Sequence, residues 1–270
     1  MSIPRPVGSS IPIASVPNLR DAGGYRTADG SLVRTGRIYR STDLAAVADA
    51  DLPALEALQL ATVFDLRTLA EREVKPDRIP AGAKEVPLDV LADRDASQAP
   101  AMMQKILDDP VLAEDLLGGD QAGGYLIGSY RDFVSMPSAV AAYRALYTDL
   151  ARRDDTAVLI HCTTGKDRTG WAVAALLLLL GVDEGRVFDE YLLTNDQLLP
   201  ALAPVFDRFR DAGGNPDILL PLLGVRRDYL EAALDEMRTG FGDIEGYFVR
   251  GLGLGADDIA ALRGRLLTRD

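Results

Sequence analysis

The stretch His161-Cys162-Thr163-Thr164-Gly165-Lys166-Asp167-Arg168-Thr169-Gly170 decides how the rest of the chain is read. Cys162 is the only cysteine and His161 the only histidine in 270 residues, and the two are adjacent. The apolar run Thr156-Ala157-Val158-Leu159-Ile160 leads into them. A second apolar run, Trp171 to Leu180, leads away and ends at Gly181, a C-cap glycine. The pattern predicts a buried strand, a tight polar loop and a buried helix. A thiol and an arginine five residues apart then face the same point.

That spacing has a chemical use. A phosphate dianion needs several donors converging on it, and a loop entering a helix N-terminus aims successive backbone N–H groups inward. The amides of Thr163, Thr164, Gly165, Lys166, Asp167 and Arg168 would line such a cup. Gly165 permits a positive φ or a close backbone approach. Arg168 would fold back to grip two phosphate oxygens. In the same field the Cys162 thiol would fall from about 8.5 to roughly 3.5–7.5. As a thiolate it would attack phosphorus and form a cysteinyl-phosphate that water later hydrolyses. Thr169 would donate to the thiolate and improve it as a leaving group.

A lone cysteine closing an apolar strand is ordinarily a small buried hydrophobe. The His-Cys-x5-Arg-Thr-Gly pattern between strand and helix overrides that reading. His161 is expected to order the loop through its ring nitrogens, pointing away from the phosphate, and not to act as a base. One His and one Cys do not make a zinc site, so neither a metal nor an organic cofactor is expected.

The loop resembles that of the cysteine-dependent protein tyrosine phosphatase superfamily. Its His-Cys-x-x-Gly-Lys-Asp-Arg-Thr-Gly form is similar to the bacterial branch typified by mycobacterial protein tyrosine phosphatase B. Further short likenesses run along most of the chain. They are Asn18-Leu19-Arg20-Asp21, Tyr39-Arg40-Ser41-Thr42-Asp43-Leu44, Phe64-Asp65-Leu66-Arg67-Thr68 with Glu71, Tyr191-Leu192-Leu193-Thr194-Asn195-Asp196, and Gly224-Val225-Arg226 running into Tyr229-Leu230. The resemblance implies activity on phosphotyrosine, and in some members on phosphoserine, phosphothreonine or phosphoinositides. Lys166 would then be a second cation beside the phosphate, or else a solvated surface lysine.

The general acid is open between two aspartates. Asp167, inside the loop, would protonate the leaving oxygen, worth roughly 10²–10⁴ in rate, or would brace the loop. Tyrosine phosphatases usually take this acid from a mobile loop elsewhere on the sheet, but there is no Trp-Pro-Asp here. The segment Val86 to Asp95 resembles that loop's position, with Asp89 its first candidate and Asp93 its second. Asp167 is preferred over Asp89.

Composition agrees. At 270 residues and 47% hydrophobic, the chain can bury a full core as one domain over 1–270. A net charge of −12 argues against nucleic acid as a partner and against broad adhesion to acidic membranes. Phosphoinositides stay open, because the loop cations act at close range. The start has no charged region followed by an apolar one. The run Trp171 to Leu180 is about half the ~20 residues that span a bilayer. The expected location is cytoplasmic, or secreted without an evident signal peptide.

Strands alternating with helices predict an α/β fold, a mostly parallel central sheet flanked by helices with a helical lid insertion. Strands are expected at Ala61–Leu66 and Ala83–Leu88, and a hairpin or edge strands from Leu32 to Tyr39 around Thr35-Gly36. Asp51 would cap a helix ending near Leu60, and Ser138–Ala151 forms an amphipathic helix. Residues 92–135 and 195–223 read as lid segments. For the second, ordinary core packing is an equal alternative. Arg20, Asp21, Asp65 and Arg67 read as a structural ion-pair network, with Arg20 a secondary candidate for reaching phosphate. Asn195 and Asp196 are expected to follow a helix and support the loop from behind.

Two rival readings remain. Sulfurtransferases and some arsenate reductases also place a cysteine in an anion-binding loop, but Lys-Asp-Arg-Thr-Gly fits them poorly. A non-catalytic phosphate-binding module would need no thiolate.

Overall fold

The computed structural model describes residues 7–94, 99–153 and 156–268. Asp95 of the acidic segment, and Met1 to Pro6 of the N-terminal arm, lie outside them.

Five strands form the main sheet: β1 (Arg20–Asp21), β3 (Ile38–Ser41), β4 (Leu60–Asp65), β5 (Lys84–Pro87) and β6 (Ala157–His161). Their order is β1-β3-β6-β4-β5. Only the β1–β3 pairing is antiparallel. β6 is the central strand, and all five of its residues are buried. A parallel strand covered on both faces must be apolar throughout, and Ala-Val-Leu-Ile meets that need. Alternate residues point to opposite faces. Val158 and Ile160 join the large core on one side, and Ala157 and Leu159 a smaller core on the other.

The helices are α1 (Leu52–Glu56), α2 (Leu69–Val74), α3 (Ala99–Asp108), α4 (Pro110–Leu117), α5 (Gln121–Ser135), α6 (Pro137–Arg152), α7 (Arg168–Leu179), α8 (Glu184–Leu198), α9 (Ala203–Asp211), α10 (Leu220–Leu223), α11 (Arg227–Phe241), α12 (Ile244–Gly246) and α13 (Ala256–Leu266). α7 is buried at every residue except Leu178, as befits a helix apolar all round. Gly181 (φ 88°) ends it. Its N–H donates to the Leu178 carbonyl, and Val182 N–H donates to Leu177, the paired bonds of a glycine-terminated helix.

Several expectations are corrected. Leu32 to Tyr39 holds strands but not a hairpin, because β2 (Leu32–Val33) leaves the main sheet and pairs antiparallel with β7 (Leu267–Thr268) in a two-stranded sheet. The turn at Gly36 carries the chain from one sheet to the other. α1 stops at Glu56, and the Asp51 carboxylate binds Ser15 instead of capping it. Asn195 and Asp196 lie within the last turn of α8. The apolar stretch after them is no single helix. Pro200 lies in a one-turn 3₁₀ segment (Leu199–Leu202) and Pro204 at the start of α9, and proline is tolerated only in a helix's first turn.

The described part of the stretch 92–135 divides into two environments. α5 buries Leu126, Tyr130, Phe133 and Val134 in the large core and packs against α11. α3, α4, α9 and α10, with the 3₁₀ turn Pro216–Leu219 and Ala122 of α5, share a second, small core of Ile106, Leu117, Phe209, Leu219 and Leu223.

Candidate active site

The loop after β6 is held from behind by its carbonyls. Asn18 Nδ2 donates to the Thr164 and Gly165 carbonyls at 3.2 and 3.1 Å. Arg40 Nη2 donates to the Gly165 carbonyl at 2.6 Å, and Asp43 N–H to the Thr163 carbonyl at 3.1 Å. In a trans peptide the N–H opposes the C=O. Tying three successive carbonyls outward therefore turns the amides of Thr164, Gly165 and Lys166 the other way. Gly165 has φ 64°, and a Cβ there would meet the Ser41 backbone oxygen at 1.9 Å. Glycine is required at this position on both counts.

Behind Asn18 and Arg40 lies a buried charge cluster. Glu190 binds Arg20 Nε at 2.8 Å and Arg40 Nη1 at 2.8 Å, with all three side chains inaccessible to solvent. Burial and the neighbouring Arg40 pull the Arg20 pKa down to about 10 despite Glu190. Arg20 also donates to Asn18 and Thr194. It therefore braces the loop's support and does not reach a phosphate. Asp21, expected in the same network, accepts from Gly23 and Gly36 N–H instead.

Cys162 is buried beneath the loop at 2% exposure. Burial alone would push its thiol up. The Arg168 guanidinium, with the hydroxyl and N–H of Thr169, outweighs burial and brings it below the ordinary value. Among the described residues the buried Thr169 hydroxyl has no oxygen or nitrogen partner, and it acts on the Cys162 sulfur. His161 Nδ1 lies 3.0 Å from the Cys162 carbonyl and Nε2 lies 3.0 Å from Asp77 Oδ2. Although burial opposes it, Asp77 and Asp65 raise the imidazole pKa. Asp65, Asp77 and His161 approach one another closely enough to suggest a cation site. Arg67 already fills it, with Nη2 2.7 Å from Asp65 and 2.8 Å from Asp77.

Arg168 is oriented by α2. Thr68 and Glu71 form a reciprocal cap at the start of that helix, and the same Glu71 carboxylate takes both ends of the guanidinium. Oε2 accepts from Nη1 at 2.7 Å and Oε1 from Nη2 at 2.8 Å. Thr163 Oγ1 also donates to Glu71 Oε1. Burial works against the Glu71 anion, yet these bonds hold its carboxyl far below the usual range.

A cavity of about 530 Å³ opens over the loop. Thr163, Thr164, Lys166, Asp167 and Arg168 line it. Lys166 Nζ lies 2.9 Å from Asp167 Oδ1 and 2.8 Å from Oδ2. Asp89 does not line the cavity. Its two oxygens accept the backbone N–H groups of Leu69 and Leu91 at 3.1 and 3.0 Å. Asp93 does not line it either, because its carboxylate accepts from Ser138 N–H at the start of α6. Arg94 and Lys75 do line it, and neither was singled out from sequence. Glu71 stood in the sequence among the family likenesses, and its local signal is the Thr68-x-x-Glu71 capping box, but its hold on Arg168 was not read there. Asp77, Glu190 and Tyr130 reach the site through tertiary contacts alone.

Among the described residues, no helix is long and apolar enough to cross a membrane. Residues 11–268 match the model of the tyrosine phosphatase family. The chain is 32% identical over 274 residues to the triple specificity protein phosphatase PtpB of Mycobacterium tuberculosis, spanning 93% of this chain and 96% of the relative. A Cupriavidus necator protein assigned to the tyrosine-protein phosphatases is 30% identical over 266 residues, 94% of this chain and 86% of its own. A tyrosine-protein phosphatase of Nostoc commune is 28% identical over 232 residues, 84% and 73% of the two chains. With a buried thiol under a loop that opens onto a cavity and a match over nearly its whole length, the chain belongs to the tyrosine phosphatase family and is a cysteine-dependent phosphatase.

Proposed function

We propose that this phosphatase hydrolyses phosphotyrosine in proteins through a cysteinyl-phosphate, with Cys162 as nucleophile and Asp167 as general acid. The observation that carries the reading is the convergence on one cavity of loop residues Thr163, Thr164, Lys166, Asp167 and Arg168, with Cys162 buried beneath them. Arg168 and the loop amides hold the phosphoryl oxygens and stabilise the charge that builds on them. The Cys162 sulfur attacks phosphorus as the bond to the phenolic oxygen breaks, and Asp167 gives that oxygen its proton. Water then attacks the phosphorus of the cysteinyl-phosphate and returns a proton to Asp167. The sulfur leaves as thiolate, helped by Thr169.

Asp167 is favoured over Asp89 because it lines the cavity, while the Asp89 carboxylate is engaged at backbone amides. Lys166 pairs with Asp167, and an arriving phosphate dianion would draw its ammonium away from that carboxyl group. The cavity walls favour an aromatic substrate. Leu126 and Phe133 from α5, Met103 and Leu107 from α3, and Leu223 from α10 line it, and a phenyl ring gains from such burial. In this reading residues 1–270 form one catalytic domain, and α3, α4, α9 and α10 act as its lid.

A second reading adds phosphoinositides. Lys75 and Arg94 line the same cavity beyond the loop's own cations, and suit a ring bearing more than one phosphate. The two are separated by comparing kcat/KM for a phosphotyrosine peptide and a soluble short-chain phosphoinositide, with Cys162→Ser as the blank. Strong preference for the peptide supports the first. Equal or faster lipid turnover moves Lys166, Lys75 and Arg94 into substrate recognition.

A further inference from the structure

We propose that Tyr130 is a positioning residue for Asp167, and that Tyr191 fixes the direction of the Tyr130 hydroxyl. Together they hold one carboxyl oxygen of Asp167 as an acceptor and leave the other to carry the transferable proton. The inference rests on Asp167 being the general acid.

The Tyr130 hydroxyl lies 3.0 Å from Asp167 Oδ1 and 2.6 Å from the Tyr191 hydroxyl. A hydroxyl has one hydrogen. Since Tyr130 donates it to the carboxyl group, Tyr191 must be the donor to Tyr130. The chain therefore runs one way, from Tyr191 through Tyr130 to Oδ1. Both rings are fully buried and come from different helices, α5 and α8. They meet edge to face at 6.1 Å, and Tyr229 of α11 packs on Tyr130 at 5.8 Å. Burial, and the negative charge of Asp167, keep both phenols protonated well beyond their ordinary range. They remain donors throughout turnover.

The consequence for the reaction is directional. Once phosphate draws Lys166 away, Tyr130 is the buried donor left on Asp167. With Oδ1 so engaged, the proton resides on Oδ2. That proton passes to the leaving oxygen as the P–O bond breaks, and no proton travels along the tyrosines. Asp167 becomes a carboxylate at that moment, so the Tyr130 bond turns charge-assisted and strengthens in the transition state. A purely packing role for Tyr130 would do none of this.

The test is the pre-steady-state rate of phenol release from phenyl phosphate and 4-nitrophenyl phosphate, in wild type, Asp167→Asn, Tyr130→Phe and Tyr191→Phe. The first leaving group needs a proton and the second much less. Tyr130→Phe is expected to slow phenyl phosphate by about tenfold to a hundredfold, with 4-nitrophenyl phosphate within about twofold of wild type. Asp167→Asn should show the same selectivity more strongly, and Tyr130→Phe should add little to it. If Asp167→Asn slows both substrates equally, the acid assignment itself fails and the inference with it. If Asp167→Asn is selective while Tyr130→Phe is unchanged or slows both alike, the inference fails and the acid stands. Tyr191→Phe gives the same reading should Tyr130→Phe not fold. Selective loss supports the positioning role, and uniform or no loss overturns it.

Discussion

Glu71 and Arg168 meet end to end, Oε2 to Nη1 at 2.7 Å and Oε1 to Nη2 at 2.8 Å, so the cap of α2 also sets the pose of the arginine proposed to hold phosphate. Charge-assisted pairs of this geometry are strong and directional. Glu71→Gln keeps the shape and removes the charge. We expect kcat/KM on a phosphotyrosine peptide to fall by about tenfold to a hundredfold, and unchanged kinetics would show that Arg168 is oriented by something else.

The same pair predicts how stability responds to acid. Burial opposes the Glu71 anion, but Arg168, Thr163 and Thr68 N–H together hold its carboxyl far below the ordinary value. A depressed folded-state pKa contributes stability that is present above the unfolded value, 4.5, and lost as pH falls below it. His161 has the opposite sign. Its folded pKa is raised above 6.5, so its contribution is complete below that pH and is lost as pH rises through the folded value. Urea midpoints measured across pH should show a shallower acid limb in Glu71→Gln and a shallower neutral-to-alkaline limb in His161→Asn. Parallel curves in all three proteins would contradict both assignments.

Gly165→Ala should damage loop and fold together. The new Cβ would sit 1.9 Å from the Ser41 carbonyl oxygen at φ 64°, and neither backbone can yield cheaply. The left-handed conformation alone costs about 1–2 kcal/mol, so Tm should drop by at least about 3 °C, with activity largely lost. A Tm within a degree of wild type would mean that the loop has a second conformation open to alanine.

Among the described residues, Glu190 is the counter-ion shared by two buried arginines, Arg20 and Arg40. Removing one member of such a cluster strands the rest, at about 3–5 kcal/mol. Glu190→Gln should lower the unfolding free energy by that order in chemical denaturation. A change under about 1 kcal/mol would show that Gln and the surrounding backbone suffice to hold both cations.

What could be read from the chain alone was what is local in it. The thiol, the loop glycine and Arg168 lie within seven residues, and apolar periodicity marked β6, α6 and α7. The supports were harder to see because they come from far along the chain. Asn18 and Arg40 reach the loop from more than 100 residues away, and Glu190 answers Arg20 across 170. No periodicity encodes such pairings. Asp89 drew attention because its segment resembles the position of the family's mobile acid loop, and its backbone partners and its place outside the cavity are visible only in three dimensions. β2 was misread for a similar reason, since its true partner, β7, is at the other end of the chain.

The central claim is tested most directly by trapping the intermediate. Wild-type protein mixed with an aryl phosphate should release a burst of phenol and, on acid quench, carry phosphate on Cys162 by peptide mass spectrometry. Cys162→Ser should show neither burst nor turnover. Near-wild-type turnover in Cys162→Ser, or a burst with the phosphate on another residue, would contradict the account.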